Sequence, residues 1–384
     1  MSEVTKTKKT ISVLVIEDED TQIQTMQDAF DDFNNESMEY TINADMKKNL
    51  NDSLVSLISN DYDVAIVDLN LDQTVVDEAR LGGIQIIDII VKKLRVPVIV
   101  RTGYPGKFDT SNPSFHSPFV KVYSKDAQVE EIIKNIIDWY STGITTTLGT
   151  KGTLQNYLNI LFWEQISHNI NEWNSHGSSH EEHEKPLMRY TLNVLQNLLE
   201  IDSTTGGFEN FHPAEVYIKP PIRQDLFFGD ILKAADDKYF IILTPSCEMA
   251  QKKYQKILLA EIISHDSVAG FADAKSKYST NLSKSKKDSL AKWLRNGHAD
   301  SIGYHFLPPY SDFPGGFVDF QSVFSINPQE EEFNHIYEKI ATVSGQFAKD
   351  ISSRFTLYYA RQGQPNLNSD LIIDTMITEL SLQK

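Results

Sequence analysis

The chain has 384 residues, 40% hydrophobic and 23% charged, with 36 lysines and arginines against 53 aspartates and glutamates. That length suggests about two or three domains, and the net charge of −17 argues against a broad DNA or RNA interface, which needs a basic face to displace counterions. No apolar run approaches the roughly 18 residues that cross a bilayer, the start MSEVTKTKKT has no signal-peptide core, and a single cysteine, Cys247, excludes an internal disulfide and fits a reducing cytoplasm.

The first third alternates short apolar runs with helical patterns. ISVLVI (Ile11–Ile16), DVAIVDL (Asp63–Leu69), VPVIVRT (Val96–Thr102) and FVKVYS (Phe119–Ser124) are rich in Val and Ile. They are apolar on both faces, as parallel strands covered by helices are. MEYTIN (Met38–Asn43) is a weaker strand. Helical patterns occupy Thr21–Phe33, Lys48–Ser59, Gly83–Lys93 and Ala127–Tyr140. This rhythm predicts a doubly wound five-stranded parallel sheet over residues 1–142. Ligands of such sheets bind beyond the carboxyl ends of the strands.

STGITTTLGTKG (Ser141–Gly152) reads as a linker, placed at 143–153. A helical segment is expected over 154–210, with helices at Leu154–Trp173 and Pro186–Leu199 and a polar loop, NSHGSSHEEHEK, between them. Residues 211–384 turn to short strands punctuated by Gly and Pro, which predicts an α+β region built on a small bent sheet or an SH3-like barrel. Two helices are expected at its end, Glu331–Tyr359 and Asn368–Leu382. The most basic stretch, Lys275–Arg295, reads as a solvated helix or loop face.

Chemistry concentrates where strands end. VLVIEDED carries four consecutive carboxylates after an apolar strand, and Asp68 ends a neighbouring strand. Glu17, Asp18 and Asp68 at one crevice repel each other unless a hard divalent cation sits among them. Mg²⁺ takes oxygen ligands and keeps several waters, so it suits a shallow site. Thr102 and Lys125 close two further strands. A hydroxyl and an ammonium beside a metal-bound carboxylate make a phosphoryl-binding pocket. Glu19 and Asp20 read simply as acids favoured at a helix start.

With those residues in order, the segment from Thr10 to Tyr140 resembles the response-regulator receiver family. The resemblance implies a CheY-like fold, with Asp68 as phosphoacceptor from a partner histidine kinase. It implies Mg²⁺ held by Asp18, Asp68 and the backbone carbonyl of Asn70, with Glu17 acting largely through water. Thr102 would hydrogen-bond the phosphoryl oxygens, Lys125 would pair with them, and Gly103 is the small residue beside the phosphate. The chain departs from the family pattern in the acidic stretch Leu71–Gly83, in Asp126 after the lysine, and in Val122 at the usual aromatic position. Tyr104, two residues after Thr102, would obstruct the hydrolytic water and lengthen the life of the acyl phosphate.

The remainder resembles no common DNA-binding output domain. Cys247 reads as a buried structural cysteine, His176, His180 and His183 as part of the polar loop, and His168 as a partly buried helix residue. The reading is a cytoplasmic phosphoprotein whose output runs through protein partners rather than DNA or membrane, with room for a homodimer. It is not an enzyme beyond assisting its own phosphorylation. A phosphorylation-gated hydrolytic effector and a phosphate buffer sharing a kinase are the alternatives.

Overall fold

The computed structural model describes residues 8–69, 71, 79–103, 105, 108, 115–150, 152–174, 180–202, 204–329, 333–363 and 365–382. The chain divides into two compact units, Met1–Glu209 and Asn210–Lys384.

In the first unit β1 (Lys9–Ile16), α1 (Asp20–Glu36), β2 (Tyr40–Lys47), α2 (Leu50–Ser59), β3 (Val64–Asp68), α3 (Ala79–Lys93), β4 (Val98–Thr102), β5 (Val120–Ser124) and α4 (Val129–Ser141) follow the expected rhythm. The sheet has the order β2-β1-β3-β4-β5 and every described pairing is parallel. Its strands are apolar on both faces because both are covered. Val13, Val15, Ile66 and Ile99 pack with Met26 and Phe30 of α1 and Ile132 and Ile136 of α4. Leu14, Ile16, Val67, Val98 and Val100 pack with Leu57 of α2 and Ile86, Ile87 and Ile90 of α3. Asn49 caps α2, its side chain accepting from the Asp52 amide at 2.9 Å. Gly83 brings α3 hard against the end of β3: a Cβ there would lie 2.5 Å from the Asp68 carbonyl oxygen.

The segment expected to be a linker is instead attached to the sheet. It forms α5 (Ile144–Leu148). Thr145 donates to the Asp63 carboxylate at 2.9 Å, Thr150 donates to Asp61 at 2.6 Å, and the Arg95 guanidinium donates to the Leu148 carbonyl. Burial raises the Asp63 carboxyl above its ordinary range, and the Thr145 hydroxyl and Ser12 amide oppose that. The threonines that resembled flexible-linker composition serve as donors, Thr145 to Asp63 and Thr150 to Asp61.

Beyond it, α6 (Thr153–Leu161) runs through a wider turn at Phe162–Ile166 and a tight turn at Ser167–Asn169 into α7 (Ile170–Asn174). His168 is exposed here rather than partly buried. The next helix, α8 (His180–Leu199), starts before Pro186, so residues 180–185 are helical and not loop. Glu182, Glu184 and Lys185 are good helix formers, which outweighs the signal of the preceding Gly and Ser. His183 is half-buried on it; His176 and the His180 side chain lie outside the described residues.

The second unit is a seven-stranded antiparallel sheet of order β10-β11-β9-β8-β7-β12-β6. Its elements are β6 (Tyr217–Ile218), β7 (Asp230–Ala234), β8 (Tyr239–Ile242), α9 (Ser246–Ala250), β9 (Ile257–Ile263), α10 (Ala269–Thr280), α11 (Lys284–Leu294), β10 (Tyr304–Leu307), β11 (Gly316–Ile326), α12 (Phe333–Ile336), β12 (Tyr337–Val343), α13 (Gly345–Ala360) and α14 (Ser369–Leu382). Register shifts in β11 between Asp319 and Val323 and in β12 between Lys339 and Ala341 bend the strands. The sheet curls far enough for its two edges to meet. Tyr217 of β6 donates to the Pro308 carbonyl just past β10 at 2.7 Å and stacks on Tyr310. The result is a curled half-barrel.

The expected helix Glu331–Tyr359 is broken by β12. That strand lies inside the sheet, paired on both sides, and such pairing overrides a weak local preference. Cys247 is exposed, not buried: α9 is one short turn whose buried residue is Met249. The basic stretch Lys275–Arg295 covers the end of α10 and all of α11. Its lysines are mostly exposed, while Trp293 is buried against Phe271 and Phe317.

Candidate functional site

The carboxyl edge of the parallel sheet gathers the residues that the sequence singled out. Glu17 and Asp18 follow β1, Asp68 ends β3, Thr102 ends β4, and Lys125 follows β5. Glu17, Asp68 and Thr102 are almost fully buried and Asp18 is half-buried. One oxygen from each of Glu17, Asp18 and Asp68 lies within 4.8 Å of the others. Three converging carboxylate oxygens are the donor set that a small hard cation takes, so these residues fit Mg²⁺. Asn70 and Tyr104 lie outside the described residues.

Lys125 is the hub of the site. Its Nζ lies 2.9 Å from Asp68 Oδ2 and 3.0 Å from both Glu17 Oε1 and Glu19 Oε1. Burial alone would lower the ammonium, but the hydrogen bonds to Asp68, Glu19 and Glu17 outweigh it and hold its pKa above the ordinary lysine value. The lysine amide also donates to the Thr102 carbonyl at 3.1 Å, which ties the ends of β4 and β5 together. Gly103 follows with open space where a side chain would stand.

Two residues have roles that the sequence did not disclose. Glu19 occupies the cap position of α1, yet its side chain makes no capping hydrogen bond. It reaches Lys125 instead. Asp20, by contrast, is an acid of the first helical turn as expected, and it pairs with Lys48. The second is Arg101, buried at 2% exposure in β4 and register partner of Asp68. Its Nη2 donates to the Lys125 carbonyl at 2.8 Å. A charged side chain inside the apolar run VPVIVRT was the available signal. Tyr123, near the usual aromatic position, accepts from Asn135 of α4 and packs on the α1/α4 face, whereas Val122 packs on the other.

The negative charge has an energetic consequence. Burial, then the Asp68 charge, pushes the Glu17 carboxyl up from 4.5 to about 6 against the pull of Lys125. Between those two values the folded protein binds more protons than the unfolded chain, so stability falls as pH rises across that window. Glu17→Gln is therefore expected to stabilise the metal-free protein at pH 7.5 by about 1–2 kcal/mol and to flatten its pH dependence. Thermal melts in EDTA at pH 5 and pH 7.5 check this. Equal dependence on pH in both proteins would contradict it.

The five-stranded parallel sheet of order 2-1-3-4-5 is like that of a receiver domain. Solved structures similar to the chain include receiver domains and a response regulator. The receiver domain of the Francisella response regulator 1452 is 21% identical, over 34% of this chain and 98% of that one, with a TM-score of 0.28. A two-component response regulator from Clostridium difficile is 15% identical over 34% and 96%, at 0.27. A CheY-like receiver domain protein from Methanospirillum hungatei JF-1 is 14% identical over 36% and 100%, at 0.27. No protein-family model and no curated protein matches the chain.

Proposed function

We propose that the chain is a two-component response regulator that takes a phosphoryl group onto Asp68 from a histidine kinase. The observation that carries this reading is the bridging of Asp68 and Glu17 by Lys125, with Asp18 within ligand distance of both acids. In the transfer a carboxylate oxygen of Asp68 attacks phosphorus. A P–O bond forms, the P–N bond to the kinase histidine breaks, and the imidazole leaves with the electron pair and takes up a proton. Asp18, Asp68 and the Asn70 carbonyl would hold Mg²⁺, with Glu17 acting through water. The cation would supply neutralisation of charge on the phosphoryl oxygens. Thr102 would donate its hydroxyl to one of those oxygens. Lys125 would leave Glu17 and Glu19 to pair with another.

The output in this reading is contact with a protein partner in the cytoplasm through the second unit. The net charge of −17 supports a protein partner over DNA. Among the described residues, no helix is long and apolar enough to cross a membrane. Among the described residues, a group of acids spaced for a metal lies at the sheet edge of the first unit, which supports the receiver reading.

Incubation with acetyl phosphate and Mg²⁺, read by intact mass, is expected to add one phosphoryl group to the wild type. EDTA or Asp68→Asn should abolish it. Equal labelling of the wild type and Asp68→Asn would overturn the assignment.

A further inference from the structure

The buried charge of Arg101 has no place in the transfer just described. In a parallel pair, register partners point to the same face. Ile66 and Ile99 both face α1 and α4, so Asp68 and Arg101, two residues further along β3 and β4, share that face. Tyr123 packs there as well, and Lys125 follows it by two. Arg101 therefore stands under the acid pocket, behind the lysine. One of its nitrogens, Nη2, is satisfied by the Lys125 carbonyl at 2.8 Å. Its Nε and Nη1 are buried and find no hydrogen-bond partner among the described residues.

Burying an incompletely bonded guanidinium is costly. An apolar side chain would fill β4 without that cost, as Val98, Ile99 and Val100 do. The compensation is electrostatic. At the rim Lys125 pairs with Glu17, Glu19 and Asp68, and Asp18 lies within ligand distance of Glu17 and Asp68. The acids whose charges most favour the guanidinium are Glu17 and Asp68, followed by Asp126 and Glu19. A fixed positive charge beneath four carboxylates has opposite effects on the two ligands of such a site. It weakens the hold on a divalent cation and strengthens the hold on an incoming anion.

We propose that Arg101 is a selectivity and positioning residue, whose fixed charge and bond to the Lys125 carbonyl set the pocket to bind Mg²⁺ loosely and the phosphoryl group tightly. This rests on the reading of Asp68 as phosphoacceptor. It adds to the residues of that reading a cation held inside the sheet, where solvent screens it little.

The test uses the full chain and three variants at pH 8. Arg101→Met removes the charge and the hydrogen bond. Arg101→Gln removes the charge and can still donate to Lys125. Arg101→Lys keeps the charge. Mg²⁺ affinity is read by calorimetry without any phosphoryl ligand, and BeF₃⁻ affinity is read at saturating Mg²⁺. Both neutral variants are expected to bind Mg²⁺ at least about threefold more tightly and BeF₃⁻ at least about threefold more weakly, the scale of a unit charge acting through protein. Arg101→Lys should stay near wild type in both. Arg101→Gln decides the matter if Arg101→Met does not fold. Weakening of both ligands in the folded neutral variants would mean a purely structural role, and unchanged Mg²⁺ affinity would mean none for the charge; either overturns the proposal. Failure of the wild type to bind BeF₃⁻ would instead refute the phosphoacceptor reading, while the Mg²⁺ measurement would still judge Arg101.

Discussion

Lys125→Met is expected to destabilise the first unit by about 3–5 kcal/mol in metal-free buffer at neutral pH. The side chain is 12% exposed and bridges Asp68, Glu17 and Glu19, the first two of them almost fully buried. Removing it leaves Glu17 and Asp68 close together across β1 and β3 without the ammonium that bridges them. Breaking a buried pair from one side costs far more than the pair is worth, because the remaining charges stay desolvated. The lysine's pKa is held above its ordinary value, so its contribution is complete at neutral pH and fades only as pH rises through the folded value. Mg²⁺ should restore part of the loss, since a divalent cation can take over the neutralisation. Urea unfolding with and without Mg²⁺, read by hydrogen exchange in β1 and β3, measures this. A loss below about 1 kcal/mol, typical of a solvent-screened pair, would show that the carboxylates do not need Lys125.

Trp293→Ala carries the second large effect, also about 3–5 kcal/mol, here through a cavity. Trp293 is 1% exposed and packs with Val268, Phe271, Ala274 and Phe317, which joins α10 and α11 to β11. Two features of the surroundings show how closely this ring is fitted. A Cβ on Gly270 would stand 2.6 Å from its Cζ2, so α10 can approach only because that residue has no side chain. His298 stacks on the ring, with centroids 4.5 Å apart and planes 14° apart. Truncation removes the partner of both, and neighbours fitted to one large ring cannot collapse into the space. Hydrogen exchange in α10 and α11 should rise with the loss of stability. Unchanged protection there would mean that the two helices are held by something other than this cluster.

The order of elements in the first unit was legible because its strands are buried on both faces. Burial on both faces writes itself as unbroken runs of Val and Ile, and the intervening helices show their own period. The site was legible for a related reason. The carboxyl ends of parallel strands share one edge, so Glu17, Asp18, Asp68, Thr102 and Lys125 had to converge once the strands were found. Antiparallel strands of the second unit gave a weaker signal. β12 was hidden in an expected helix, because its place between β7 and β6 comes from pairing with strands far away in sequence.

The amino-acid sequence by itself determined the parallel sheet, the presence of a bent sheet after it and the set of acids at one edge. Tertiary structure alone decided how their charges are balanced. Glu19 had the ordinary appearance of a helix-start acid, and only the fold brings Lys125 within 3.0 Å of it. Arg101 stood out only as a charge in an apolar strand, and only strand register sets it level with Asp68. The threonines after α4 matched a tether in composition, and their role appears only beside Asp63 and Asp61. In each case the deciding quantity is a distance between residues remote in sequence, set by packing and register and not by local preference.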